Sequence, residues 1–189
     1  MEPLGDSARR YVSDDVVTEG DFVDEPEAVE CFRNAITKTG CFTIYHEVEC
    51  WYFGNSPFSS PDTGRIDFLL TPTQKLISAG WDAGIVGVEV KKSGHKAGPL
   101  LTQMTDYRNA VYRIKNGILV VPSIVCCFPP LSQVKGPLQS VMANNALGCA
   151  RVKNHDTSFL VDSTNVFACD VSGNVTVKPL KSGVKNGSR

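Results

Sequence analysis

Two apolar runs with charged residues inside them constrain this chain more than any other feature. The first run, residues 65–70, contains Asp67, and the second, residues 84–91, contains Glu89 and Lys91. Short runs of apolar and β-branched residues predict strands, whose successive side chains point to opposite faces. The three valines of the second run then face a core, and Glu89 and Lys91 share the other face.

The spacing of these charges indicates a chemistry. If the two strands form a hairpin, Asp67 reaches the face that carries Glu89 and Lys91. Neighbouring carboxylates ionise together cheaply only with a cation between them, and their oxygens suit magnesium, with manganese as a substitute. A divalent ion activates water, and a nearby lysine orients that water or stabilises charge on a phosphate. The pattern favours phosphodiester hydrolysis; the alternative is an ion pair on a solvated strand.

Hydrophobic periodicity predicts the elements around these runs. Helices are predicted after Asp24 up to Gly40 and over residues 100–113. Strands are predicted over residues 42–51, 65–70, 84–91 and 117–125, with residues 71–83 as a long hairpin connection. The order helix, three strands, helix, strand predicts an α/β fold with a mixed central sheet flanked by helices. Towards the C-terminus a helix is predicted over residues 137–147, and short strands over residues 158–161, 166–169 and 174–177.

Charge and composition divide the chain into four segments. Residues 1–30 hold ten acids and two bases, whereas the rest of the chain carries a net charge of +7. We therefore predict an acidic N-terminal arm (residues 1–24) and a core (residues 25–130). A C-terminal extension packed on that core (residues 131–180) and a disordered tail (residues 181–189) follow. A basic body suits a polyanionic partner, although solvated basic faces are common.

Cysteine usage and hydropathy indicate a cytoplasmic protein with no membrane segment. The seven cysteines are odd in number and lack the paired spacing of a zinc site. In a reducing compartment such thiols behave as small core residues. The N-terminus has no basic stretch before an apolar run, and the most apolar stretch is too short for a membrane helix.

The residues Asp67 and Glu89-Val90-Lys91, in this order, resemble the signature of the PD-(D/E)xK nuclease superfamily. That superfamily includes Holliday-junction resolvases, restriction enzymes and repair exonucleases. The resemblance covers residues 25–125 and implies a restriction endonuclease-like core, cleavage of DNA, a magnesium cofactor, no organic cofactor and a homodimer. The signature is short, so its specificity lies in order and context rather than in the letters.

The resemblance also implies individual roles. Asp67 and Glu89 would bind the metal together with the carbonyl of Val90, and Lys91 would position the attacking water or the phosphate. Relatives carry an acid on the first helix, which here is Glu27 or Glu30, with Glu27 preferred as the catalytic one. They also carry a glutamine on the helix after the lysine strand, which here is Gln103, as a catalytic support. Ile66 replaces the family's frequent proline.

Basic residues around the signature are predicted to contact DNA phosphates. Residues 91–115 hold six bases and one acid. The predicted nucleic-acid-binding residues are Arg65, Lys92, His95, Lys96 and Arg108. A second hypothesis keeps the fold but not the reaction: a nucleic-acid-binding or assembly module. A third is a small domain in which Glu89 and Lys91 form only a surface pair.

Overall fold

The computed structural model describes most of the predicted core and four strands after it. It covers residues 24–52, 61–81, 84–92, 96–115, 117–121, 123–127, 147–153, 156–161, 165–170 and 172–179. The helices are α1 (Glu25–Thr39), α2 (Gln74–Ser78) and α3 (Ala97–Arg108). The strands are β1 (Phe42–Tyr52), β2 (Asp62–Pro72), β3 (Val86–Val90), β4 (Val111–Ile114), β5 (Gly117–Val120), β6 (Ser123–Cys127), β7 (Leu147–Lys153), β8 (Asp156–Val161), β9 (Asn165–Cys169) and β10 (Val175–Pro179).

All ten strands belong to one mixed sheet. Their order is β10-β9-β8-β7-β6-β3-β2-β1-β4-β5. β3 pairs parallel with β6, and β6 pairs parallel with β7, whereas the other pairs are antiparallel. With helices packed on this sheet, the predicted α/β class is confirmed. β3, the strand that carries the charged residues, lies between β2 and β6 in the interior of the sheet.

Most predicted elements are present, and the differences have local causes. The first helix, the first three strands and the three short C-terminal strands are confirmed to within a few residues. The predicted connection over residues 71–83 contains the short helix α2. The predicted helix over residues 100–113 ends at Arg108, because the β-formers Val111 and Tyr112 pair with β1 instead.

Two further predictions need correction or fall elsewhere. The predicted strand over residues 117–125 is two strands, β5 and β6, and the sequence places Pro122 between them, a residue that cannot donate to a ladder. Strand β7 was not predicted. The predicted helix over residues 137–147 lies outside the described residues except at Leu147, which begins β7. The arm over residues 1–23 and the tail over residues 181–189 lie outside them as well.

Helix α1 has well-defined ends that its sequence predicts. The Asp24 side chain accepts a hydrogen bond of 2.9 Å from the backbone N–H of Glu27, and Pro26 occupies the first turn. Gly40 ends the helix with φ at 61°, a left-handed conformation that glycine adopts without strain. The buried stripe of Ala28, Phe32 and Ile36 faces the sheet. The two capped ends and the buried stripe therefore fix the orientation of α1 on the sheet.

Two hydrophobic cores cover the two faces of the sheet. The first core joins α1 and α2 to the valines of β3 and to aromatic residues of β1 and β2. The second core joins α3 to the opposite face, through Leu100, Met104 and Tyr107. β3 separates the cores, since Val86, Val88 and Val90 belong to the first and their neighbours point to the second.

The β1–β2 hairpin serves both cores because its side chains change faces halfway along. Phe68 and Leu70 pack in the first core, but Ile66, which regular alternation would place beside them, packs in the second. β1 changes in the same way: Phe42 packs in the first core and Val48 in the second. The register continues through the change, from His46 opposite Phe68 to Val48 opposite Ile66.

The change of face occurs at the pair of residues Glu47 and Asp67. Glu47 has φ at 51° and is the residue other than glycine with a positive φ in the described part of the chain. A left-handed residue inside a strand interrupts the two-residue alternation, because alternation requires extended backbone on both sides. The change of face therefore places Asp67 at the point where the hairpin passes from one core to the other.

The thiols behave as predicted from composition. Cys41, Cys50 and Cys169 are free and buried. Burial raises the pKa of Cys50 to about 11 and the pKa of Cys169 to about 11, so both stay protonated at neutral pH. Of the helices that the structure describes, none is both long and apolar enough to cross a membrane.

The left-handed backbone at Glu47 generates a stability prediction. Glu47→Val should lower the free energy of unfolding by about 1–2 kcal/mol, because a β-branched residue is strained at positive φ. Glu49→Val is the matched control: Glu49 is also an exposed glutamate of β1, and its substitution should change stability by less than about 0.5 kcal/mol. Urea denaturation of both variants measures the difference, and equal effects would contradict the assigned strain.

Candidate functional site

The central residues of the site lie where β3 ends. Glu89 is 3% exposed and Lys91 6% exposed, so both are buried charged residues. Glu89 points away from the valines of β3, towards the face covered by α3, as strand alternation predicts. Gly87, which precedes it on that face, lies against the side chains of Ile66 and Ile124. The charged pair therefore stands at the end of an otherwise apolar strand.

Asp67 closes the pairing of β2 with β3. The ladder between these strands covers Phe68 to Leu70 on β2, and Asp67 is the next residue outwards. Its Oδ2 accepts a hydrogen bond of 2.7 Å from the backbone N–H of Val90. The carboxylate thus takes the place of a strand partner for this N–H. This contact brings Asp67 to the end of β3, as the sequence predicts.

Lys91 connects the site to helix α1. Its Nζ lies 2.6 Å from Glu89 Oε1 and 3.1 Å from Glu25 Oε1. Glu25 is the first residue of α1, and its side chain is 39% exposed. We call Glu25, Asp67, Glu89 and Lys91 the acidic cluster. With every group ionised it holds three negative charges and one positive charge.

Burial and the neighbouring negative charge both affect the pKa of Glu89. Burial, followed by the charge of Asp67, raises the pKa of Glu89 from its ordinary 4.5 to about 7, although Lys91 acts in the opposite direction. Burial also raises the pKa of Asp67, which the hydrogen bond from Val90 partly offsets. Glu89 Oε2 is buried and has no hydrogen-bond partner within the described residues.

Lys91 itself remains charged. Burial alone would lower the pKa of Lys91, but its hydrogen bonds and ion pairs with Glu89 and Glu25 outweigh burial and hold the pKa above its ordinary value. The ammonium therefore donates hydrogen bonds at any physiological pH. It does not act as a proton acceptor.

The helix acid in the cluster is Glu25, rather than the predicted Glu27 or Glu30. Glu27 is exposed, and Glu30 pairs with Arg33 and Asn34 on the exposed face of α1. The helical periodicity of the sequence could have indicated Glu25. It lies three residues before the buried Ala28, so it continues the core-facing stripe of α1 by one turn. Glu25 is thus the acid of α1 that contacts Lys91.

Of the remaining predicted site residues, Val90 contacts a carboxylate of the cluster and Gln103 is hydrogen-bonded to a tyrosine. Val90 contributes its N–H to Asp67, whereas the prediction concerned its carbonyl. Gln103, on α3, donates a hydrogen bond of 3.1 Å from Nε2 to the Tyr107 hydroxyl. That hydroxyl donates in turn to the carbonyl of Arg65, at 2.8 Å. Sequence reasoning missed Tyr107 as part of the site.

The predicted phosphate-contacting bases have different environments. Lys92 and Lys96 are exposed. The Arg65 side chain is 60% exposed and lies 3.5 Å from Glu47, a surface pair of little energetic weight. Arg108 is half-buried, and its Nε has no partner within the described residues. His95 lies outside them. Two lysines close to the cluster in sequence are thus free to meet a polyanion.

His46, which sequence reasoning read as a structural residue, lies close to the cluster. It is exposed on β1, and its ring centroid lies 5.0 Å from that of Phe68, the residue after Asp67. Its charge acts to lower the pKa of Asp67, although burial dominates.

Neither a known protein nor a group of metal ligands among the described residues identifies the acidic cluster. No family model, curated protein or solved structure matches the chain. Among the described residues, no three or more His, Cys, Asp or Glu side chains group together in a way that could hold a metal ion.

The raised pKa of Glu89 predicts a pH dependence of stability. An acid whose pKa is higher in the folded state binds its proton more tightly there, so the free energy of unfolding falls as pH rises from 4.5 to about 7. Glu89→Gln should remove this fall, a difference of roughly 3 kcal/mol between pH 4 and pH 8. Urea denaturation at both pH values, with EDTA present, measures it.

Glu49→Gln is the control for this experiment, since Glu49 is exposed on β1. It should leave the pH dependence as in the wild type. If Glu89→Gln and Glu49→Gln gave the same dependence, the assignment of the raised pKa to Glu89 would be wrong.

Proposed function

We propose that this protein hydrolyses phosphodiester bonds of DNA with a divalent metal ion, using Asp67, Glu89 and Lys91. The observation that carries the proposal is the buried Glu89 Oε2, which has no partner in the described structure and lies in a cluster with excess negative charge. A buried carboxylate oxygen without a partner is costly, and a cation removes that cost.

The donor set of the cluster suits magnesium. Magnesium binds one or two carboxylates and takes water and substrate phosphate oxygens as its other ligands. Asp67 and Glu89 would hold it. When bound, the ion supplies a water of lowered pKa and polarises the phosphate.

The chain's own residues would complete the reaction. Water attacks phosphorus and loses a proton to the solvent, the bond to the leaving sugar oxygen breaks, and that oxygen takes up a proton from the solvent. Lys91 stays protonated and would donate a hydrogen bond to the phosphate or to the attacking water. Glu25 holds the ammonium in place from α1. The hydrogen bond from Val90 fixes one oxygen of Asp67.

The fold and the charge distribution support the same proposal. The order implied by the PD-(D/E)xK resemblance is present as α1, the antiparallel strands β1, β2 and β3, α3 and the parallel strand β6, with α2, β4 and β5 as additional elements between them. The restriction endonuclease-like core is therefore part of the proposal. The exposed Lys92 and Lys96 next to the cluster would contact phosphates along the bound strand.

Nuclease activity is the direct test. With magnesium or manganese, the protein should cut plasmid, branched or single-stranded DNA. Asp67→Asn and Lys91→Met should lower kcat by about 100-fold or more, because each removes a group that acts in the transition state. Lys92→Met is the matched control, since it removes the neighbouring, exposed lysine. It should retain kcat and at most weaken DNA binding through one phosphate contact.

The same assay separates the second hypothesis. DNA binding that persists in the wild type, with no cutting of any substrate and no effect of metal, would replace the nuclease with a non-catalytic binding module. Loss of activity in Lys92→Met equal to that in Lys91→Met would remove the special role given to the buried lysine.

Metal binding can be tested without turnover. At pH 8, magnesium at about 100 times its dissociation constant should raise the free energy of unfolding by about 2.7 kcal/mol. Asp67→Asn should abolish most of this gain, because one of two ligands loses its charge. Calorimetric melting with and without magnesium measures it, with Asp170→Asn, an exposed aspartate in the β9–β10 turn, as a control that should keep the gain. An equal gain in both variants would show that the ion binds elsewhere.

A further inference from the structure

A buried tyrosine on α3 is hydrogen-bonded to the backbone of β2, two residues before Asp67. Tyr107 is 5% exposed, and its hydroxyl donates to the carbonyl of Arg65 at 2.8 Å. The ladder between β2 and β3 covers Phe68 to Leu70, so this carbonyl lies beyond it. The Tyr107 phenol therefore forms a hydrogen bond with β2 at a residue that is not paired with β3.

The position of Tyr107 is fixed on several sides. Gln103 Nε2 donates to its hydroxyl at 3.1 Å, so the oxygen both accepts and donates. The Tyr112 hydroxyl donates a hydrogen bond of 2.7 Å to the backbone carbonyl of Tyr107, a contact that does not involve the phenol. The Tyr107 ring lies against Gly64: a Cβ added there would be 3.3 Å from Tyr107 Cε1. The Tyr107 ring can pack this closely against β2 because residue 64 is a glycine and has no side chain.

Protonation favours the same arrangement. Burial, followed by the charge of Glu89, raises the pKa of Tyr107, so its phenol keeps its proton at physiological pH. A protonated phenol can donate to a carbonyl, whereas a phenolate would be repelled by it. Helix α3 is thus joined to β2 by a donor that does not titrate in the working range.

We infer that Tyr107, supported by Gln103, is a positioning residue: it holds β2 through the Arg65 carbonyl so that Asp67 meets the end of β3. This inference rests on the proposed function for its effect on activity, but not for its effect on structure. It gives Gln103 an indirect role, since its amide orients the phenol. The backbone around Asp67 needs such a support, because this is where the hairpin changes faces and the β2–β3 ladder ends.

The structural readout is the hydrogen exchange of one amide. The N–H of Val90 donates to Asp67 Oδ2, so its exchange rate reports whether Asp67 is in place. Tyr107→Phe removes the phenol oxygen and keeps the ring, and it should raise the exchange rate of the Val90 amide by about tenfold or more. NMR detects this without metal, DNA or turnover.

Tyr112→Phe is the matched control. It also removes one buried phenol that donates to a backbone carbonyl, but that carbonyl belongs to Tyr107 and lies on α3's side of the contact. Tyr107→Phe loses the hydrogen bonds with the Arg65 carbonyl and with Gln103, whereas Tyr112→Phe loses one, so the global stability of each variant is measured beside its Val90 exchange. Only Tyr107→Phe should change the exchange of Val90 beyond the change that global stability explains.

Activity and metal binding complete the experiment. Tyr107→Phe should lower kcat and manganese affinity by about 10-fold to 100-fold while KM for DNA stays unchanged, as expected when a supporting residue of a metal site is lost. Val90 exchange that is equal in Tyr107→Phe and Tyr112→Phe would overturn the positioning role.

The two proposals fail in different ways. A wild-type protein that neither cuts DNA nor binds manganese, but whose Val90 amide responds to Tyr107→Phe, would reject the nuclease and retain the positioning role. A wild-type protein that cuts DNA, with kcat and Val90 exchange alike in the two tyrosine variants, would retain the nuclease and reject the positioning role.

Discussion

The structure depends on the burial of one ion pair at the end of an apolar strand. Glu89 and Lys91 are both more than nine-tenths buried, and an ion pair in such a place is maintained only if its remaining atoms find partners. Glu25 from α1 supplies one of them, and Asp67 from β2 adds a further charge. The ends of a helix and of two strands therefore have to meet at one place. An apolar pair would require no such convergence.

Helix α3 serves this site from the opposite face of the sheet to α1. Its apolar residues fill the second core, and the Tyr107 hydroxyl, to which Gln103 donates a hydrogen bond, reaches the β2 backbone from within that core. Helix α3 thus contributes both apolar residues of the second core and the hydrogen bond to the β2 backbone. Any shift of α3 relative to the sheet would act on Asp67 before it acted on Lys91, because Lys91 is held from α1.

Sequence reasoning predicted the parts of this structure that depend on local pattern. The alternation of β3 places Glu89 and Lys91 correctly, and the capping residues of α1 predict its ends. The features that sequence reasoning did not predict depend on contacts between residues far apart in the chain. The residues after Arg108 pair with β1 as β4 rather than continuing the helix. Tyr107 carries no motif and becomes recognisable only through its contact with Arg65, far away in sequence. The choice of Glu25 among three helix acids required the orientation of α1.

The change of face within the β1–β2 hairpin bears on how the protein unfolds. One half of the hairpin packs in the first core and the other half in the second, with Glu47 and Asp67 between them. A hairpin shared in this way couples the two cores, because neither can separate from the sheet without exposing apolar side chains of strands that the other still holds. The two cores should therefore behave as one cooperative unit, with the site at their junction protected from partial opening.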